Sequence, residues 1–270
     1  MKLTQHHSRP KLCFASTLIG LISFAAMFGC SRREPFGRAE ILVAAASDLT
    51  PAFEDIGRQF EQETGIKATF SYGSTGTLAR QIENGAPVDI FAAANVEFIE
   101  QLERQGLIVP GSKALYARGR LTVWRRADSA LKIERIEELA QPQIASIAIA
   151  QPEHAPYGKA AREALESAGI WKEVAPKLVY GENVRQTMQY AETGNADVAI
   201  IALSLSVQSN GRWLLIPEQL HKPLDQALAV IKSGRSEGEA RRFAEFVNSG
   251  PGRDTMRRYG FILPGESIAQ

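Results

Sequence analysis

Four short stretches hold the groups best suited to chemistry, and they are built from hydroxyls, glycines and amides rather than charges. Ser47 ends the apolar run "ILVAAAS", and "GSTGT" places Ser74, Thr75 and Thr77 around Gly73 and Gly76. "PYG" carries Tyr157 and Gly158, and "GENV" carries Gly181, Asn183 and Val184. After Tyr72 the first lysine or arginine is Arg80. Each stretch stands just ahead of a helical pattern. A helix start leaves backbone N–H groups unpaired and carries partial positive charge. Several starts turned to one point hold an anion without any side-chain cation. Hydroxyls add donors, and glycine lets the backbone come close. A hydrogen bond to a charged group contributes about 1.5–3 kcal/mol net. Six or seven of them supply about 12 kcal/mol, roughly nanomolar affinity before the cost of closing the site.

Taken singly, these residues have plainer explanations. Ser47 serves as well as a helix N-cap. "GSTG" reads as a turn and cap, and it lacks the lysine of a phosphate-binding P-loop. Tyr157 fits a packing role at a helix start. His154 reads as a structural or surface residue, because no second histidine or carboxylate stands at metal-ligand spacing. Glu182 and Arg185 read as a solvated pair. The anion reading rests on four such loops recurring in one alternating pattern.

That pattern runs from Ala39 onward. "AEILVAAAS" is a buried strand, and Leu49, Phe53, Ile56 and Phe60 recur at helical spacing, with Pro51 in the first turn and Gly65 as the stop. "IKATFSY" is a strand, Leu78 and Ile82 mark a short helix, "PVDIFAAA" is a strand and "NVEFIEQLERQG" a helix. "RLTVWRR", "SIAIAQP", "KLVYG", "ADVAIIALS" and "DQALAVIK" read as further strands, with helices over Tyr157–Ala168 and Val184–Thr193. The end of the chain is helical, with a break at Gly250-Pro251-Gly252. Alternation of this kind predicts an α/β fold of mostly parallel sheets flanked by helices. Ligands then sit at the carboxyl ends of the strands, where the four loops lie.

Composition narrows the function. The chain has 270 residues, enough for two lobes with separate cores, and its net charge is +1. That balance excludes a basic field for nucleic acid. Lys2, Arg9 and Lys11 precede an uncharged stretch from Leu12 to Gly29, which reads as a secretory signal. Cys30 follows directly, as in the lipobox of bacterial lipoproteins, where the signal is cut before a cysteine that takes a lipid. An ordinary cleaved signal, or a helix left in the bilayer, is the alternative. Beyond Cys13 and Cys30 there is no cysteine. A disulfide framework, a thiolate metal site and a cysteine nucleophile are therefore excluded from the mature domain.

The stretches "ILVAAASDL", "STGTLARQIENGAPVDIFAAAN", "QPEHAPYGKAAREALE", "VYGENVRQTMQYAETGNADVAII" and "MRRYGF" resemble the molybdate-binding proteins of bacterial ABC transporters, which are type II periplasmic binding proteins. The likeness covers nearly all of the chain after the signal. It implies two α/β lobes joined by two crossing strands and closing on a tetrahedral dianion. Carried over, Ser47 donates its hydroxyl, and a second hydroxyl falls on Thr75, with Ser74 beside it. Tyr157 and Val184 offer backbone N–H groups. Some members of the family add a tyrosine hydroxyl at the position of Ala202. With no tyrosine there, the phenol of Tyr157 is expected to take that part.

The resemblance further implies a ligand, molybdate or tungstate, held through its oxygens with no cofactor or directly bound metal. It implies an ABC permease in the inner membrane as partner, a monomer, a lipid on Cys30, and a place in the periplasm or cell envelope. The domain scheme is a signal over 1–30, a linker over 31–38, a first lobe from 39–118 plus 228–270, and a second lobe over 119–227. The hinge is expected near "ARGRLTVW" and "LDQALAVI". A donor-only ring suits ions with no proton to give and penalises monohydrogen phosphate. Sulfate, phosphate or a small organic anion is the alternative ligand. An enzyme on the same fold is the distant one, with neither a cysteine nor a nucleophile elbow to support it.

Overall fold

The computed structural model describes residues 39–266, so the expectations for the signal, Cys30 and the linker lie outside the described residues. In chain order the elements are β1 (Glu40–Ala46), α1 (Thr50–Thr64), β2 (Lys67–Gly73), α2 (Thr75–Glu83), β3 (Ile90–Ala93), α3 (Val96–Arg104), β4 (Ala114–Gly119) and β5 (Leu121–Arg126). Then come β6 (Ile147–Ala150), α4 (Pro156–Ser167), α5 (Trp171–Val174), β7 (Leu178–Gly181), α6 (Val184–Glu192), β8 (Val198–Ala202), α7 (Leu203–Ser206) and β9 (Gly211–Leu215). The chain closes with β10 (Leu224–Val230), α8 (Glu237–Val247) and α9 (Gly250–Arg258).

The strands form two five-stranded sheets, in the orders β2-β1-β3-β10-β4 and β7-β6-β8-β5-β9. In each sheet four strands run one way and one runs against them. The reversed strand is β10 in the first sheet and β5 in the second. Those are the strands that follow the two crossings between lobes. The first crossing is Arg120 alone, between β4 and β5. The second runs from Ile216 to Pro223. Arg120 Nε and Glu218 Oε1 lie 3.6 Å apart and tie one crossing to the other.

These crossings correct two expectations. β10 pairs with β3 and β4 along its length, beginning at Leu224, so the boundary drawn at residue 228 cuts through a strand of the first sheet. "LDQALAVI" is likewise a sheet strand, and the connection lies just before it. The helix break also moves. α8 ends at Val247, and Gly250-Pro251-Gly252 open α9, with the Ser249 hydroxyl accepting from Gly252 N. Proline and glycine there begin a helix rather than interrupt one.

Local sequence explains the elements that carry the loops. α1 starts with Pro51 in its first turn, buries Ala52, Phe53, Ile56 and Phe60, and ends on Gly65, whose φ of 72° suits glycine. Asp89 pins the start of β3. Its carboxyl accepts from the backbone N–H groups of Leu42, Arg235 and Ser236.

Candidate oxyanion-binding site

The loops after β1, β2, β6 and β7 meet at one cavity between the sheets. Its lining includes Ser47, Asp48, Ser74, Thr75, Tyr157, Asn183 and Val184, so every expected ligand residue borders it. Ala202 does not. No lysine or arginine lines it. The walls stand close together, leaving little free space between them.

The chain keeps selected donors unspent. α1 takes Leu49 as its N-cap without a side-chain cap, so Ser47 is no cap. Its backbone carbonyl accepts from the Thr50 N–H and from the Thr50 hydroxyl at 2.8 Å, while its side chain makes no hydrogen bond among the described residues. Thr75 Oγ1 accepts from Ala94 N at 3.1 Å, which leaves the hydroxyl proton to donate. Tyr157 and Val184 stand in the first turns of α4 and α6, where helix geometry leaves N–H groups without an internal partner. The Asn183 side chain accepts from Arg185 N and Gln186 N at 3.0 and 3.1 Å. That cap uses the second and third amides of α6 and spares the first, Val184.

Two expected side chains are spent elsewhere. The Ser74 hydroxyl donates to the His154 carbonyl at 2.6 Å, across the gap between lobes. This favours Thr75 over Ser74 as the ligand hydroxyl. The Tyr157 hydroxyl accepts from Gln226 Nε2 at 3.1 Å and lies against the Asp48 carboxyl. Burial first, then the Asp48 charge, hold this phenol well above its usual range. The expectation that Tyr157 contributes its phenol is thus corrected here: the oxygen is taken up by a buried network, and the N–H remains.

That network was not legible as part of the site. Gln226 Nε2 donates to Asp48 Oδ2 at 2.7 Å, and Tyr116 donates to Gln226 Oε1 at 2.9 Å. The Ser204 hydroxyl donates to the Asp48 carbonyl at 2.7 Å. Burial pushes the Asp48 carboxyl up to about 6, against the hydrogen bonds from Gln226 and Tyr157 that pull it down. Two signals could have marked these residues: an acid directly after Ser47, and a glutamine directly before the apolar run "ALAV" of β10.

Comparison with known proteins fits this geometry. The sequence signature described as bacterial extracellular solute-binding protein matches residues 41–262. The chain belongs to this family. Among its relatives, the molybdate-binding protein ModA of Rhodobacter capsulatus is 31% identical over 92% of this chain and 98% of its own length. The ModA of Azotobacter vinelandii is 33% identical over 83% of this chain and 90% of its own. The solved structure of the periplasmic molybdate-binding protein of Azotobacter vinelandii superposes with a TM-score of 0.79 at 28% identity, over 83% of this chain and 99% of that one. As a member of the solute-binding family, the chain carries its cavity where the two lobes meet. Among the described residues no helix is long and apolar enough to cross a membrane, and no group of three His, Cys, Asp or Glu is placed to hold a metal ion.

Proposed function

We propose that this chain is the solute-binding component of a bacterial ABC importer and that it binds molybdate, with tungstate as an equivalent ligand, between its lobes. The observation that carries this reading is the cation-free cavity bordered by Ser47, Thr75, Tyr157 and Val184. Molybdate and tungstate carry no proton at neutral pH, so a ring of donors satisfies each oxygen, whereas monohydrogen phosphate needs an acceptor. The ModA relatives support the choice of ion.

In this reading the chain acts by binding and release, not by catalysis, and needs no cofactor. The lobes part about the two crossings to admit the ion, close on it, and present the closed form to a permease. A lipid on Cys30 holds the monomer in the cell envelope. Calorimetric titration with molybdate, tungstate, sulfate and phosphate tests the ligand. Tight binding of the first two with phosphate excluded is the expected result. Preference for sulfate would replace the ligand, and absence of any anion binding would overturn the reading.

A further inference from the structure

Beside the cavity one carbonyl gathers two donors from the opposite lobe. His154 O accepts the Ser74 hydroxyl at 2.6 Å and the Gly76 N–H at 2.9 Å. Ser74 and Gly76 flank Thr75 at the start of α2, in the first lobe. His154 lies in the loop between β6 and α4, in the second. Neither crossing contributes to the contact. The fit is close. A Cβ on Gly76 would stand 2.8 Å from His154 O and 3.0 Å from His154 Cβ, nearer than such atoms approach without something shifting. Ser74 is buried at 3% exposure and lines the cavity, yet its hydroxyl turns to His154.

We infer that Ser74, Gly76 and the His154 carbonyl form a latch between the lobes that sets how long the bound ion stays. The latch rests on the oxyanion reading for its ligand, but its chemistry is independent of which oxyanion binds. When the lobes separate, all three groups are hydrated. When they meet, the two hydrogen bonds form only in the closed state, so they slow opening without altering capture. Thr75, between the two latch residues, is thereby brought to the ion at the moment the latch closes.

Stopped-flow release of molybdate into excess tungstate, with Ser74→Ala beside the unsubstituted chain, tests this. Loss of one such hydrogen bond should speed release about fivefold, with the association rate and the ligand-free melting temperature unchanged. Gly76→Ala, which keeps the hydroxyl but holds the loops apart, should speed release at least as much. Unchanged release in both variants overturns the latch, and so does a crystal of the molybdate complex with Ser74 Oγ on an oxyanion oxygen. A lowered ligand-free melting temperature for Ser74→Ala overturns it too, because the bond would then serve the fold. If the unsubstituted chain binds only another oxyanion, release of that ion is measured instead. Faster release in the variants then keeps the latch while the molybdate reading falls. A chain that binds no anion overturns both.

Discussion

In the first lobe Asp89 stands just ahead of β3 and accepts from Leu42 N at 2.8 Å. In the second, Asp197 stands just ahead of β8 and accepts from Ala145 N and Ser146 N at 2.8 and 2.9 Å. The strand orders correspond position by position, including the one reversed strand in each sheet. On this shared frame the lobes face the cavity differently. The first brings the side-chain hydroxyls of Ser47 and Thr75. The second brings first-turn amides, at Tyr157 and Val184, and an asparagine that arranges them. The cores differ too. Phe53, Phe60, Phe70 and Phe243 cluster in the first lobe, while β6 and β8 bury only alanine, isoleucine and valine. The comparison teaches that half of the site is open to side-chain replacement and half is written into the backbone.

The strongest way to break that asymmetry is to remove both hydroxyls. Ser47→Ala with Thr75→Ala should weaken molybdate binding about a thousandfold, at about 2 kcal/mol for each bond to the charged ion, read by calorimetry. A loss below about tenfold would shift the burden to the amides.

A second effect comes from the acid between the lobes. The Asp48 carboxyl is raised from 3.8 to about 6 by burial. A raised carboxyl binds more protons folded than unfolded, so stability falls as pH rises through that interval and is level above it. The full cost is about 3 kcal/mol. Melting curves across the window should show the slope, and Asp48→Asn should flatten it. A flat profile for the unsubstituted chain would mean that Asp48 is not desolvated.

Gln226→Leu comes next. It takes from Asp48 the donor at 2.7 Å and from Tyr157 the donor at 3.1 Å. An ionised carboxyl left buried without that partner should cost about 2 kcal/mol of stability, checked by denaturant unfolding.

The smallest effect sharpens the comparison most. Val184→Ala trims a side chain but keeps the amide, so affinity should change by less than about twofold. A large loss would place the valine side chain, not its N–H, against the ion.

How much of this was legible follows the same division. Hydroxyls and glycines after apolar runs are visible in sequence, so Ser47, Thr75, Tyr157 and Val184 could be placed on one cavity before any fold was known. Eight of the strands were readable from short apolar runs, and β4 was touched only where the hinge was expected near "ARGRLTVW". β9 was missed, since an edge strand with exposed Arg212 and Trp213 has neither an apolar run nor a clear alternation. The direction of a hydroxyl is not a property of residue type. Ser74 and Thr75 are neighbours of like chemistry, and only the loop carrying His154 decides which one is taken. Tyr157 misled for the same reason, since its phenol is claimed by Gln226 from a strand far along the chain.

The position of β10 has a bearing on biogenesis. It lies between β3 and β4 and is the one strand paired with β4 among the described residues, beside a single bridge from Ile262 to Arg118. A polypeptide emerging amino end first therefore carries the first lobe as two unjoined pieces until Leu224–Val230 is made, whereas the other lobe is one uninterrupted segment. Nascent material therefore stays short of its native state through most of synthesis.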